Sequence, residues 1–329
     1  MIPVSLLFIV LVALTACDHS ERLPKTARTD SASTAVFTPP DTSLIPKDDV
    51  GSMIRYGREL LVNTPHYLGP NGSVGRYAGN LLACTNCHLD AGTRPYGLSL
   101  MSSHARYPQY RMREARILSL AERVNNCIER PLNGKPMPLD SKEMNAILMY
   151  MKWLATGVPT DGRLPGDNLG PITYPDRMAD PARGKHVYDQ HCQRCHGIDG
   201  EGILDPDGKK YTYPPLWGPN SYQPGSSMHR VIKSAQFIKY NMPHGLAAWN
   251  SPVLTDEEAF DVAAYINSDE LHQRPVVPKD APNYPIVKQR PVDFYMGPFA
   301  DPYPNEQHKY GPFKPIIEWR KANGHPTGL

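Results

Sequence analysis

Two short runs of cysteine and histidine are the most chemically distinctive feature of this sequence. Cys84-Thr85-Asn86-Cys87-His88 has the pattern C-x-x-C-H, which returns 108 residues later as Cys192-Gln193-Arg194-Cys195-His196. At a c-type haem attachment site the two thiols form thioethers to the haem vinyl groups and the histidine binds the iron. One match would also fit a redox dithiol or a zinc site. Two matches, in a chain that begins like an exported protein, predict two covalently bound haem c groups.

The first residues are typical of an exported protein. Residues 1–16 are apolar, carry no charged side chain and end in Leu14-Thr15-Ala16, directly before Cys17. This ending resembles a bacterial lipoprotein box, in which the cysteine becomes the lipidated first residue. The run is too short to span a bilayer comfortably, so residues 1–17 are predicted to be a lipoprotein-type signal. Cleavage without lipidation is the alternative. We expect a protein on the periplasmic side, anchored to a membrane through a lipid at Cys17.

Composition divides the rest of the chain into segments. Residues 18–48 are rich in Ser, Thr, Pro and Asp and are predicted to be a flexible tether. Residues 49–157 and 182–270 each contain one motif and are predicted to be cytochrome c domains, joined by a linker at 158–181. The Pro-rich and aromatic residues 271–329 are expected to wrap over the domains as extended chain. A net charge of +2 favours no particular class of partner, and no nucleic-acid partner is expected.

Each motif lies within an imperfect repeat of the same helical plan. The first unit opens with a helix that contains Gly57 and closes with a predicted helix from Ser141 to Ala155. The second unit has Gly184 at the matching place and closes with a helix that begins at the capping box Thr255–Glu258. The two glycines would let the first and last helices of each unit cross closely. We therefore predict an all-α fold of two class I cytochrome c-like domains in tandem, with long irregular loops.

The second unit offers a methionine as the other axial ligand of its iron. Met242-Pro243 lies 46 residues beyond His196, in the loop position that class I cytochromes c use. Met228 is the competitor, but it falls in a predicted helical run from Ser226 to Ile238. Lys239, if deprotonated, is a further candidate. His/Met ligation raises the reduction potential, which suits a haem that accepts and passes on electrons.

The first unit offers two candidates for the same position. Met137-Pro138 lies 49 residues beyond His88 and matches Met242-Pro243 in the repeat, whereas Cys127 lies 39 residues beyond. If Met137 is the ligand, Cys127 is a small buried hydrophobic residue. Spacing alone leaves the choice open.

The charge around Cys127 favours the cysteine. Between His104 and Lys135 seven basic residues face three acidic ones, in a chain that is nearly neutral overall. A solvated helix face with Glu–Arg pairs would also give this composition. Arginines near a thiol lower its pKa, however, and they attract anions. The basic residues are Arg106, Arg111, Arg113, Arg116, Arg123, Arg130 and Lys135.

These residues carry a family resemblance. The chain is similar to the dihaem thiosulfate dehydrogenase family over about residues 50–270, and the block around Cys127 is the most specific part of the match. The matching stretches are Tyr56-Gly57-Arg58-Glu59-Leu60, the two haem motifs, Arg123-Val124-Asn125-Asn126-Cys127-Ile128-Glu129-Arg130, Leu132-Asn133-Gly134-Lys135, Met149-Tyr150-Met151-Lys152-Trp153-Leu154 and Met242-Pro243.

The resemblance implies a function and a set of iron ligands. Family members join two thiosulfates to form tetrathionate, and some run the reverse reaction well. His88 and Cys127 would ligate the catalytic iron, and His196 and Met242 the iron through which electrons leave to a periplasmic c-type cytochrome or a similar acceptor.

Two positions depart from the pattern of relatives. Some relatives carry a lysine that binds iron at the position of Asn241, so a plain His/Met site is expected here. Relatives often have a hydroxyl residue where this chain has Pro131, which affects the local hydrogen bonding near the substrate pocket.

The chemistry of thiosulfate agrees with the basic cluster. Joining two dianions requires that their repulsion be offset, and guanidinium groups accept oxyanions in a forked geometry. Arg113 and Arg123 are the best candidates because both lie near Cys127 in sequence. We hypothesise that Cys127 also forms a covalent sulfur adduct with the first thiosulfate.

Three other functions remain possible from the sequence. A non-enzymatic dihaem electron carrier would have Met137 and Met242 as ligands. A sulfur-loading cytochrome of the SoxA type would also have a cysteine ligand but would act on a carrier protein. A dihaem peroxidase needs an open iron site and fits the Cys127 block least well.

Overall fold

The computed structural model of the protein describes residues 36–276 and 283–329. The predicted signal, Cys17 and most of the predicted tether lie outside the described residues. Helices dominate the described part, as expected for an all-α protein. The helices are α1 (Asp49–Val62), α2 (Thr64–Leu68), α3 (Leu89–Gly92), α4 (Leu120–Glu129), α5 (Lys142–Leu154), α6 (Pro181–His191), α7 (Gln193–His196), α8 (Val231–Asn241), α9 (Asp256–Ile266), α10 (Asn305–Tyr310) and α11 (Phe313–Ala322).

The strands are few and short. Strands β1 (Gln109–Arg111) and β2 (Arg116–Leu118) pair antiparallel in one hairpin, and β3 (Ile203–Leu204) and β4 (Tyr211–Tyr213) pair antiparallel in another. Neither hairpin forms part of a larger sheet. The all-α prediction is therefore confirmed, with two small hairpins added to the loops.

The same helix crossing organises both units. Helix α1 packs on α5, and α6 packs on α9. A Cβ atom on Gly57 would lie 2.0 Å from the carbonyl oxygen of Ala146, and one on Gly184 would lie 1.9 Å from that of Asp261. Since no side chain fits at such distances, the predicted close crossings at these two glycines are confirmed.

Side-chain caps fix where the closing helices begin. The Ser141 hydroxyl accepts a hydrogen bond from the Met144 N–H at the start of α5. Thr255 and Glu258 form a reciprocal capping box at the start of α9. Both helix starts were predicted from these residues. The helix that we predicted from Ser226 to Ile238 begins later, at Val231, because Ser227–His229 forms a separate 3-10 turn before α8.

The C-terminal residues differ from the extended chain that we expected. They form α10 and α11, and Phe313, Ile316 and Ile317 of α11 pack in the hydrophobic core of the second unit together with Phe260 of α9. The spacing of these apolar residues is helical, but the many prolines nearby favoured the prediction of extended chain. The tail therefore completes the second core.

Candidate haem-binding active site

The first C-x-x-C-H motif is folded as one tight turn. Cys84–Asn86 form a 3-10 helix, and the N–H groups of Cys87 and His88 donate to the carbonyl oxygen of Cys84 at 3.2 and 2.8 Å. The hydroxyl of Thr64 accepts from the Cys84 N–H at 3.0 Å, which ties the motif to α2. This turn brings both thiols and the histidine to one edge of the fold.

The second motif has the same local geometry. Helix α6 ends at Cys192, and the N–H groups of Cys195 and His196 donate to the carbonyl oxygen of Cys192 at 3.1 and 3.0 Å. The Gln193 side chain donates to the carbonyl oxygen of Asp189 at 2.7 Å. The two motifs are thus nearly superimposable in their hydrogen bonding.

Both motif histidines are oriented as haem ligands require. Nδ1 of His88 donates to the carbonyl oxygen of Leu98 at 2.6 Å, and Nδ1 of His196 donates to that of Pro214 at 2.8 Å. Such a bond fixes the tautomer and leaves Nε2 for an axial bond to iron. The residues present therefore fit covalently bound haem c at both motifs.

A zinc or disulfide use of the cysteines has no support in the geometry. None of Cys84, Cys87, Cys127, Cys192 and Cys195 forms a disulfide. Across residues 36–276 and 283–329, no three His, Cys, Asp or Glu side chains gather as a metal site. Burial raises the pKa of Cys84 to about 11 and the pKa of Cys192 to about 12.

Cys127 is the exception among these thiols. It lies on α4, and the NH1 group of Arg123, one helical turn earlier, donates to its sulfur at 3.0 Å. The His88 ring is also within hydrogen-bonding reach of that sulfur. Burial raises the pKa of Cys127, but Arg123, His88 and Arg130 outweigh burial and bring the pKa down to about 6. The structure thus brings together Cys127, Arg123 and His88.

Arg130 is a site residue that the sequence argument counted but did not single out. It follows α4, and its NH1 lies 3.2 Å from Glu114 with both side chains nearly buried. The Asn126 amide donates to the same Glu114 oxygen at 3.0 Å. Burial lowers the pKa of Arg130 to about 10, with Arg113 and Arg123 as further causes. A buried guanidinium beside the thiol adds positive charge where an anion would bind.

Arg113 is held by the C-terminal tail. It lies in the turn between β1 and β2, is 7% exposed, and donates from NH1 to Oδ1 of Asn283 at 3.2 Å. Its guanidinium carbon lies 4.7 Å from the ring centroid of Tyr284, and the Tyr284 N–H donates to the Arg113 carbonyl oxygen at 2.9 Å. Of the two predicted arginines, Arg123 contacts the thiol and Arg113 contacts the tail.

Met137, the alternative ligand in the first unit, is a core residue. It is 2% exposed and packs in the first hydrophobic core. Its N–H donates to Oδ1 of Asn125 at 2.9 Å, and its carbonyl oxygen accepts from the same side chain at 2.8 Å. These bonds tie the Met137 loop to α4, the helix that carries Cys127.

Met242 occupies the end of α8 in the second unit. Its N–H donates to the carbonyl oxygen of Ile238 at 2.9 Å, and its side chain packs against the second core. Met228 instead lies in the 3-10 turn before α8. Lys239 forms an ion pair with Asp256. The pairing of Lys239 favours Met242 over the lysine as the group available to iron.

Loop residues 221–223 of the second unit dock beside the first motif, which no local sequence signal indicated. The Gln223 side chain donates to the carbonyl oxygen of Glu129 at 2.7 Å, and the Asn133 side chain donates to that of Ser221 at 2.6 Å. Tyr222 is buried, and its phenol is near enough to Cys87 to interact with it electrostatically. The site in the first unit is therefore closed partly by the second unit.

Two family models match the chain, one in each unit. "SoxA/TsdA, cytochrome c domain" matches residues 78–160, and "Cytochrome c" matches residues 181–269. These spans contain the first and second C-x-x-C-H motifs respectively. The chain therefore has two cytochrome c domains, consistent with two haem c groups.

Proteins named thiosulfate dehydrogenase resemble this chain over most of its length. That from Stutzerimonas stutzeri is 37% identical over 78% of this chain and 80% of its own, and that from Allochromatium vinosum is 36% identical over 83% and 93%. The solved thiosulfate dehydrogenase from Marichromatium purpuratum has a TM-score of 0.69 and 34% identity; the match covers 81% of this chain and 55% of that one. The chain belongs to the thiosulfate dehydrogenase family of cytochromes c.

Proposed function

We propose that this protein oxidises two thiosulfate ions to tetrathionate at the first cytochrome c domain and passes the electrons out through the second. The single observation that carries the proposal is the contact of Arg123 with the Cys127 sulfur at 3.0 Å, beside the His88 ring. A buried thiol so close to guanidinium groups can exist as a thiolate and has cations beside it for an anionic substrate. The relatives named thiosulfate dehydrogenase support the choice of substrate.

The proposal includes a ligand set for each iron. His88 and Cys127 would hold the iron of the catalytic haem, and His196 and Met242 that of the electron-transfer haem. When bound, the two haem c groups supply one-electron redox centres, which together match the two electrons that the reaction releases. We assign residues 49–157 to the catalytic domain and 182–270 to the electron-transfer domain.

The first role of the protein side chains is to offset the negative charge of the reacting groups. Arg123 and Arg130 offset the repulsion between a thiolate and the first thiosulfate dianion, because fixed cations in a partly dry site interact strongly with anions. Arg113, which the tail holds, adds to the positive field around Arg130. Loop residues 221–223 restrict access from the side of the second domain.

The sulfur chemistry then uses Cys127 as the protein's nucleophile. The Cys127 sulfur, once released from the iron, would form an S–S bond to the outer sulfur of the first thiosulfate, and the two electrons would pass to the two haem c groups, one each. The outer sulfur of the second thiosulfate attacks the same outer sulfur, which forms the central bond of tetrathionate. Cys127 leaves as a thiolate, so atoms and charge balance.

Anaerobic addition of thiosulfate to the oxidised holoprotein tests the function. We expect reduction of the haem absorption bands and one tetrathionate for every two thiosulfates consumed. Absence of reduction by thiosulfate would contradict the proposal. Reduction that requires an added sulfur-carrier protein would instead favour the SoxA-type alternative.

We also propose that the protein is exported and anchored through a lipid at Cys17. In the part of the chain that the structure describes, no helix is both long enough and apolar enough for a membrane span. Cys17→Ser should move the protein from the membrane fraction to the soluble fraction, whereas Cys127→Ser should leave it in the membrane fraction. A soluble wild-type protein would remove the anchor from the proposal.

A further inference from the structure

A short segment of the first domain contacts both regions that carry proposed iron ligands. We call residues Arg94–Leu98 the strap. At one end, the carbonyl oxygen of Leu98 accepts the Nδ1 hydrogen bond of His88 at 2.6 Å. In its middle, the carbonyl oxygen of Tyr96 accepts a hydrogen bond from Nδ2 of Asn241 at 3.0 Å. Asn241 is the last residue of α8 and directly precedes Met242.

The strap holds the chain on both sides of Met242. Arg94 donates from NH2 to the carbonyl oxygen of Ala247 at 3.0 Å, five residues after Met242. The rings of Tyr96 and Tyr240 lie 5.1 Å apart between centroids, two residues before it. Three contacts from one segment therefore bracket the methionine.

The backbone of the strap is fixed in an unfavourable conformation. Tyr96 and Leu98 have φ angles of 56° and 53°, in the left-handed region that non-glycine residues rarely adopt. Their N–H groups donate to the carbonyl oxygens of Gly166 and Asn168 at 2.7 and 3.1 Å. Such conformations are unfavourable and persist where surrounding contacts impose them. The strap is therefore a rigid support.

Asn241 is built into this support. It is fully buried, and its Nδ2 group also donates to the carbonyl oxygen of Phe237 at 2.9 Å, so both amide hydrogens are used. A Cβ atom on Gly97 would lie 3.2 Å from Oδ1 of Asn241, which shows how closely the strap approaches. An amide is the side chain that can bond its own helix and the strap together.

We propose that Asn241 is a positioning residue that holds Met242 on the iron of the second haem by bonding the end of α8 to the strap. The inference rests on the ligand sets proposed above. Without the bond from Asn241 to Tyr96, the end of α8 is free to move, and the thioether competes less well with other ligands for the iron. The expected effect is therefore on the strength of methionine ligation.

The test replaces Asn241 and measures competition for the iron. In ferric holoprotein, Asn241→Ala should bind imidazole at the second haem about tenfold more tightly than wild type, a factor equivalent to about 1.4 kcal/mol. The absorption band of methionine-bound ferric haem should weaken in parallel. Asn323→Ala is the matched control, because Asn323 makes the same bond to the carbonyl four residues earlier, in α11. It should leave both readouts unchanged.

A second variant keeps the inference testable if Asn241→Ala does not fold. Arg94→Ala removes the contact with Ala247 and a long, exposed ion pair with Asp90 at 3.8 Å, and it should tighten imidazole binding about threefold, with the same weakening of the methionine band. Folded variants with wild-type imidazole affinity and a wild-type band would overturn this inference alone. A wild-type protein without methionine ligation at the second haem would overturn both the inference and the proposed ligand sets.

Discussion

The two haem motifs share the hydrogen bonds of their own residues but differ in the residues that surround them. In each, the histidine N–H bonds the carbonyl of the first cysteine, and its Nδ1 bonds a backbone carbonyl. The first motif faces a thiol with a lowered pKa and a guanidinium at 3.0 Å. For the second we propose Met242, at the end of α8, where hydrogen bonds hold the chain on either side. The motif geometry is therefore shared, and the two domains differ in the residues that surround it.

The largest expected effect comes from removing Cys127, the thiol that distinguishes the first site from the second. Cys127→Gly should lower the turnover of thiosulfate by about 10³-fold or more, because the variant lacks both the nucleophile and an iron ligand. The spectrum of the second haem should stay unchanged. Turnover and the ferric spectrum of purified holoprotein check this. Substantial retained turnover would remove Cys127 from the mechanism.

Met137→Leu is the control for Cys127. The volume is nearly conserved, so this core substitution should cost less than about 1.5 kcal/mol. The spectrum of the first haem should not change. If it changes to that of a haem that has lost a methionine ligand, the first site resembles the second and the non-enzymatic electron carrier is the better interpretation.

Removal of the Arg123 guanidinium should have the next largest effect. Arg123→Gln should lower kcat/KM for thiosulfate about 100-fold, since the variant loses a buried cation beside both the thiol and the anion. Arg116→Gln is the matched control, because Arg116, on β2, is exposed and pairs with Glu122 of α4 and not with the thiol. Steady-state assays at several salt concentrations check this. Equal effects of the two substitutions would show that general surface charge, not Arg123, matters.

The helix crossings should respond alike in the two domains. Gly57→Ala and Gly184→Ala each place a methyl group about 2 Å from a carbonyl oxygen, and each should cost about 2 kcal/mol of unfolding free energy through overpacking. Denaturant unfolding of the holoprotein, followed at the haem bands, measures this. Gly324→Ala is a useful contrast, because a Cβ atom there has no neighbour within 4 Å and only the φ of +68° opposes it. A much smaller loss of unfolding free energy at one crossing would show that the two domains do not depend on their crossings equally.

Acid should weaken the second domain first. Burial lowers the pKa of His229 to about 4, and this residue lies between Tyr295 of the tail and Asp269. In the unfolded chain the histidine takes up a proton near pH 6.5, whereas in the folded chain it stays neutral until about pH 4. Its contribution to stability is therefore present above pH 6.5 and is lost as the pH falls toward 4, by about 3 kcal/mol in full.

Hydrogen exchange at pH 7 and pH 4.5 checks this difference. Amides of α8 and α9 should lose more protection at the lower pH than those of α1 and α5. In His229→Gln the additional loss in the second domain should be smaller. Equal losses in both domains of the wild type would contradict the assignment to His229.

Local patterns predicted the frame of the molecule. Ser141 and Thr255 predicted two helix starts, because a cap lies within a few residues of the helix that it begins. Gly57 and Gly184 predicted the crossings, because a residue without a side chain lets two helices approach closely. The pairing of Cys127 with Arg123 was predictable for the same reason, since four residues make one helical turn.

Contacts between distant parts of the chain were not predictable. The bond of Arg113 to Asn283 joins residues 170 apart, and that of Gln223 to Glu129 joins residues 94 apart. Neither has a local signature, because the tertiary fold alone brings the partners together. Arg130 was visible as one of seven basic residues, but its pairing with Glu114 depends on how the β1–β2 turn meets the end of α4.

The burial of α11 has a consequence for the order in which the protein matures. Phe313 and Ile316 are at most 1% exposed within the second core, yet they follow both haem motifs by more than 100 residues. Since a polypeptide is made and exported from its N-terminus, cofactor attachment sites arrive before the residues that seal the second core. Under the proposed roles of the two domains, a protease that removed α11 would damage the core of the electron-transfer domain and leave the Cys127 site intact, so electrons from thiosulfate would be accepted but poorly delivered.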